Sequence, residues 1–134
     1  MILAVLVLSA CSNPAGIYRG TTTQTISSNG QTQTTTISGD TVAIFASADP
    51  NALVFESTGL AFTATKTGDA LNFPGGQAQT RTESNGNSST TLTSGTGTMT
   101  STSLTMNLVL TISQTGGGQT QNSNVTLTFT GTKI

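Results

Sequence analysis

Apolar side chains in this sequence recur every second residue and almost nowhere every third or fourth. Leu104, Met106, Leu108, Leu110 and Ile112 share one face of an extended segment, with Thr105, Asn107, Thr111 and Ser113 on the other beside Val109. Val125, Leu127 and Phe129 alternate in the same way with Thr126, Thr128 and Thr130. A strand turns successive side chains to opposite faces, so this pattern calls for antiparallel sheet with one face in a core and one in water. Thr and Gly, which are abundant here, are poor helix formers, and only a short helical turn is expected, at residues 47–52.

Turn chemistry divides the rest into short strands. Tyr18, Gly20, Thr22, Gln24 and Ile26 share a face, and Asn29-Gly30 follows, the favoured dipeptide of a two-residue type I′ hairpin turn. A second strand is expected over residues 31–38, broken by Gly39-Asp40, before Val42, Ile44 and Ala46 resume the alternation. Further breaks fall at Asp49-Pro50, Thr58-Gly59, Gly68-Asp69, Pro74-Gly75-Gly76, Asn85-Gly86 and Gly116-Gly117-Gly118, while Gly95 and Gly97 flank a weak strand holding Met99. The expected fold is all-β: an antiparallel meander of about eight to ten strands, closed or partly closed into a small barrel, with a two-sheet β-sandwich as the alternative. Closure removes the sheet edges that a chain this low in charge would otherwise leave open to aggregation. Tyr18-Arg19-Gly20-Thr21 and Phe129-Thr130-Gly131-Thr132 are expected to be neighbouring strands. The layout loosely resembles small lipocalin-like or related β-barrel lipoproteins of bacteria.

Composition decides between folding and disorder. Only 7% of the residues are charged and the net charge is −1. Disorder goes with high net charge and few β-branched residues, whereas Thr dominates here and favours strands. Arg19, Lys66, Arg81 and Lys133 are scattered, and one Tyr with no Trp leaves little for base stacking, so nucleic acid is not an expected partner.

The chemistry open to the chain is narrow. It has no His, and Cys11 is its only cysteine, so nucleophile–histidine catalysis, a usual zinc site and a disulfide are not expected. The carboxylates Asp40, Asp49, Glu56, Asp69 and Glu83 fall mostly at turns or on wet strand faces, where turn hydrogen bonding and solubility are their expected roles. An acid pair made by Asp40 and Asp69 is the one arrangement that would suit an enzyme; no catalytic residue, metal or cofactor is expected. Phe55, Phe62, Phe73, Met99, Met106, Leu108 and Phe129 are the candidate lining of a barrel interior, and a filled core is the default because protein interiors are close-packed.

The start of the chain carries an address. Residues 1–10 read MILAVLVLSA, an apolar run of the size found in a secretory signal and too short to span a bilayer. Leu8-Ser9-Ala10-Cys11 resembles the lipobox of bacterial lipoproteins. That resemblance implies diacylglycerol on the Cys11 sulfur, cleavage before Cys11 and, in many bacteria, acylation of the new amino end. Signal peptides begin with a basic stretch, and Met1-Ile2 has none, so an upstream start is one expectation and missing first residues another. Ser12 after the cysteine implies the outer membrane by the enterobacterial sorting rule, with the inner membrane as the alternative. The expected organisation is a signal peptide at 1–10, a lipidated end and tether at 11–16 and one β domain at 17–134. Expected partners are membrane lipid through Cys11 and an envelope protein, or else a small apolar or glycan ligand held by the barrel. The oligomeric state is not legible.

Overall fold

The computed structural model describes residues 15–134, apart from Thr58, Asn85 and the side chain of Glu83. The apolar run at 1–10 and Cys11 lie outside the described residues. The described chain is a meander of nine antiparallel strands: β1 (Gly16–Ser28), β2 (Gln31–Ala46), β3 (Ala52–Ser57), β4 (Leu60–Thr67), β5 (Ala70–Phe73), β6 (Ala78–Glu83), β7 (Gly86–Met99), β8 (Ser103–Gly116) and β9 (Gln119–Lys133). They form a single sheet in the order β5-β4-β3-β2-β1-β9-β8-β7-β6, and β5 also bonds β7. The ring of hydrogen bonds therefore closes, and the two-sheet alternative is not what forms. The first and last strands are neighbours, with Tyr18 opposite Lys133, Gly20 opposite Gly131 and Thr21 opposite Thr130.

The ring is uneven. β5 pairs residues 95–98 of β7 and β6 pairs residues 86–91, so β5 and β6 run one after the other along the same edge. The chain steps from one to the other at Pro74-Gly75-Gly76, opposite an irregularity between Leu92 and Ser94. Gly76 N–H donates to Leu92 O at 2.8 Å and Leu92 N–H to Gln77 O at 2.7 Å, which keeps the ladder continuous. On the far side, β2 has 16 residues and β3 only 6, and β3 pairs β2 at residues 43–46 alone. At one end the barrel is closed all round. At the other, the β1–β2, β6–β7 and β8–β9 hairpins rise past the tip of the β3–β4 hairpin.

Two expected breaks are absent. The second strand does not end at residue 38: β2 runs through Gly39 and Asp40. Gly20 faces Asp40 while Thr21 faces Ser38, so Gly39, with φ +74°, is the extra residue of a β-bulge. A glycine with positive φ serves a bulge as well as a turn, and the partner strand decides which. Likewise the weak strand holding Met99 is not separate: Gly95 and Gly97 lie within one strand, β7, bent at its irregularity. No helical turn forms at 47–52. Asp49 makes a side-chain-stabilised turn there, with Asn51 N–H on Oδ1 at 2.9 Å and Ala52 N–H on its carbonyl at 3.1 Å. Asn29-Gly30 is the expected tight turn, both residues with positive φ, 52° and 77°.

The core is the inner face of the ring. Leu104, Met106, Leu108 and Leu110 of β8 are buried, as are Val125 and Phe129 of β9, Val42 and Ile44 of β2, and Phe55, Phe62 and Phe73 from β3 to β5. Phe55 and Phe73 meet edge to face with ring centroids 5.1 Å apart. With no disulfide among the described residues, this burial carries the fold, at roughly 1.5–3 kcal/mol for each large side chain.

Two variants test this packing. Leu108→Asp puts an unpaired charge at a position 4% exposed and is expected to abolish the cooperative thermal transition followed by circular dichroism. At Gly39 an added Cβ meets nothing within 4 Å, so Gly39→Ala is penalised by backbone conformation alone. Denaturant titration is expected to show a loss of about 1–2 kcal/mol with the fold retained.

Candidate functional site

Where β3 and β4 stop short, the inner face opens. A cavity of about 140 Å³ lies there, lined by Phe55, Phe62, Phe73, Met106, Leu108 and Phe129 below and by Thr22, Ile37, Asp40 and Leu60 nearer its mouth. Six of the seven residues expected to line a barrel interior therefore meet around one space. The seventh, Met99, does not. It is half-buried at the closed end, in a cleft of about 240 Å³ shared with Tyr18, Lys66, Asp69 and Lys133. Tyr18 itself is buried, and its hydroxyl donates to Thr100 O at 2.9 Å.

The mouth of the cavity carries a polar pair that the sequence did not single out. Thr22 is 5% exposed, and its Oγ1 donates to Asp40 Oδ2 at 2.5 Å. Thr41 N–H donates to Asp40 Oδ1 at 3.0 Å. Asp40 is thus an inward-leaning group held by Thr22 and the Thr41 amide, where a solvated turn acid was expected. It lies two residues before Val42 and shares its inner face, and the extra residue at Gly39 is what brings Ile37, opposite Thr22, to that same face. Asp69 lines the cleft at the opposite end of the barrel from Asp40, so the two do not form an acid pair. Glu56 sits opposite Ala43 and Ala61 on the outer face. Among the described residues no three carboxylates or other metal ligands come together.

Beyond the cavity the inner face becomes polar in a particular way. Gln24, Gln31 and Gln33 in the first hairpin, and Gln114, Gln119 and Gln121 in the last, all occupy inner-face register positions. Gln79 and Arg81 continue that face across β6, opposite Thr90 and Ser88. A groove of about 380 Å³ runs over β6, β7 and β8 there, lined by Leu60, Gln79, Arg81, Thr90, Ile112 and Gln114. The outer face carries hydroxyl ladders instead, such as Thr25 with Thr34 at 3.3 Å and Ser27 with Thr32 at 3.1 Å.

The seam between β4 and β6 is closed by side chains. Gln77 Oε1 accepts from Thr63 N–H and its Nε2 donates to Thr63 O, both at 2.8 Å, so one amide side chain stands in for a strand neighbour. Gln79 Nε2 donates to Ala61 O. No such closure exists on β2: among the described residues, no strand pairs the outer edge of residues 31–40. Nothing in the periodicity signalled this, because the gap comes from a difference in strand length. Comparison with protein-family models, curated proteins and solved structures returns no match.

The Thr22–Asp40 contact is directly testable. Thr22→Val keeps the shape and removes the donor to a half-buried carboxylate. Denaturant titration is expected to show a loss of about 1–3 kcal/mol, while Asp40→Asn, which keeps an acceptor for Thr22, is expected to lose less.

Proposed function

We propose that the protein is a lipid-anchored lipoprotein of the cell envelope whose β domain is a non-enzymatic module for contact with another protein. The lipobox resemblance at Leu8-Ser9-Ala10-Cys11 supports the anchor. The observation that carries the contact reading is the polarity of the barrel. Ala15 N–H donates to Ile44 O at 2.6 Å, at the closed end, and only Ser12, Asn13 and Pro14 separate it from Cys11. Lipid on Cys11 would hold the closed end against the membrane and turn the open end, with its glutamine-lined face, outward. Lys66 and Lys133, two of the chain's four basic residues, line the cleft at the membrane-side end, where anionic headgroups favour cations. Acylation at both the sulfur and the amino end makes the anchor stable, where one chain would be marginal. Ser12 favours the outer membrane over the inner.

The alternative is a carrier for a small apolar or glycan ligand. A glycan would lie in the open polar groove of about 380 Å³ over β6, β7 and β8. For a small apolar ligand the fit is poorer: pockets for drug-sized ligands run roughly 300–1,000 Å³, and the apolar cavity is about 140 Å³. That is nearer the engineered cavity of about 150 Å³ that admits a benzene, the scale of one side chain.

Membrane fractionation with intact-mass analysis tests the anchor. The wild-type protein is expected in the membrane fraction, heavier than the polypeptide starting at Cys11 by the mass of its acyl groups. Cys11→Ala is expected to carry no added lipid mass. A Cys11→Ala protein with unchanged membrane retention and unchanged added mass contradicts the proposal.

A further inference from the structure

We propose that the outer edge of residues 31–40 in β2 is a strand-addition site, which takes an extended, uncharged segment of a partner protein bearing one large apolar side chain. This rests on the contact reading above and names the kind of partner.

The lanes of the barrel beside β7 and β2 are filled unequally. Along β7 the lane is filled twice, by β5 beside residues 95–98 and by β6 beside residues 86–91. Along β2 the corresponding lane is filled once, by β3 beside residues 43–46. The chain then turns back at Gly59, and the lane beside residues 31–40 has no described strand in it. The alternate N–H and C=O groups on that edge lie at the open end of the sheet, ready to pair with an incoming backbone. Natural edges are usually guarded by Lys, Pro or an inward charge. Residues 31–39 contain no charged residue and no proline, and the two guards present, the bulge at Gly39 and the inward carboxylate of Asp40, stand at the far limit of the stretch.

The cavity lies under the same lane. Ile37, Asp40 and Val42 of β2 line it on one side, and Ser57 and Leu60 at the tip of the β3–β4 hairpin line it on the other. Ile37 is a large apolar residue left 42% exposed. A strand laid beside β2 would project alternate side chains inward over this opening. One of them, near the level of Ile37, would meet an apolar space of single-side-chain size. Its neighbours would face Gln31, Gln33 and Thr35, which accept hydroxyl and amide groups. Asp40 at the mouth disfavours an acidic residue at that level.

A second copy of this chain is a poorer occupant. Two β2 edges can pair about a two-fold axis only in antiparallel fashion. That would point the two closed ends, and the two Cys11 tethers, in opposite directions, and both could not be anchored in one membrane.

The test uses the purified protein and a fluorescein-labelled peptide of roughly nine residues, alternating serine and threonine with one central phenylalanine. Anisotropy titration is expected to give saturable binding, weakened about tenfold or more when the phenylalanine is replaced by serine, and similarly by Ile37→Asp. N-methylation of one set of alternate peptide residues is expected to abolish binding, and of the other set to leave it intact, because only one edge of the peptide faces β2. Absence of saturable binding up to about 1 mM overturns the proposal, as does equal binding of both N-methylated series, which would mean apolar capture without strand pairing. A protein that sediments as a dimer and binds peptide only on dissociation also overturns it, in favour of a second copy. The binding is read in solution, so its failure leaves the anchor standing, and loss of the anchor in fractionation leaves this result untouched.

Discussion

β5 contributes only four residues, yet it bonds β4 along one edge and β7 along the other. Without that double pairing the sheet would have two open edges at the level of Phe55, Phe73 and Met106, and the inner face would lose its enclosure. Leu71 and Phe73 hold β5 in place by burial, so the closing contact and the core depend on each other. The same four-residue length means that β5 closes only the lower part of the ring. Above it, the long hairpins must manage their own edges. β6 and the side chains of Gln77 and Gln79 do this on one side, and nothing among the described residues does it on the other.

The division of polar residues follows from this geometry. On the outer face, β-branched Thr suits a pleated, solvated surface, and its hydroxyls pair across strands. On the inner face above the core, the residues must be polar enough for the wet mouth of a barrel and long enough to reach across it. Glutamine meets both needs, with a donor and an acceptor on one flexible stem. Gln77 uses both at once on Thr63, which is the strand-replacement role that a hydroxyl is too short to play. The mouth therefore combines amide and hydroxyl hydrogen-bonding groups with an apolar floor, and its described charges are Asp40 and Arg81.

Much of the core was legible in the sequence. The alternation of Leu104, Met106, Leu108 and Leu110 identified a half-buried strand, and the paired Gly-Thr ends at Tyr18 and Phe129 anticipated the β1–β9 neighbours. What was not legible has specific causes. Gly39-Asp40 reads locally as a turn because turn and bulge share a positive φ, and only the register of β1 distinguishes them. Thr34, Thr35 and Thr36 carry no period, so the length of β2 and its unpaired edge are invisible in hydrophobicity. Asp40 was assigned to solvent because Gly39-Asp40 reads as a turn, although it shares the parity of Val42 and Ile44, and the partner that holds it is Thr22, eighteen residues away. Met99 shares the parity of the core and packs against it but lies at the closed end, away from the cavity, a matter of height along the barrel that alternation does not encode.

The central claim is that one end of the ring is closed and that residues 31–40 of β2 form a free edge at the other. Residue-resolved amide hydrogen exchange on the uncomplexed protein tests it most directly. Amides of β8, β9 and residues 43–46 of β2 are expected to exchange slowly, near the global unfolding limit. Within residues 31–40 protection is expected to alternate, slow for amides bonded to β1 and fast for those on the outer edge. Uniform slow exchange along residues 31–40 would show that edge to be paired already, and uniform fast exchange in β5 and residues 95–98 of β7 would show the ring to be open. Either result contradicts the account.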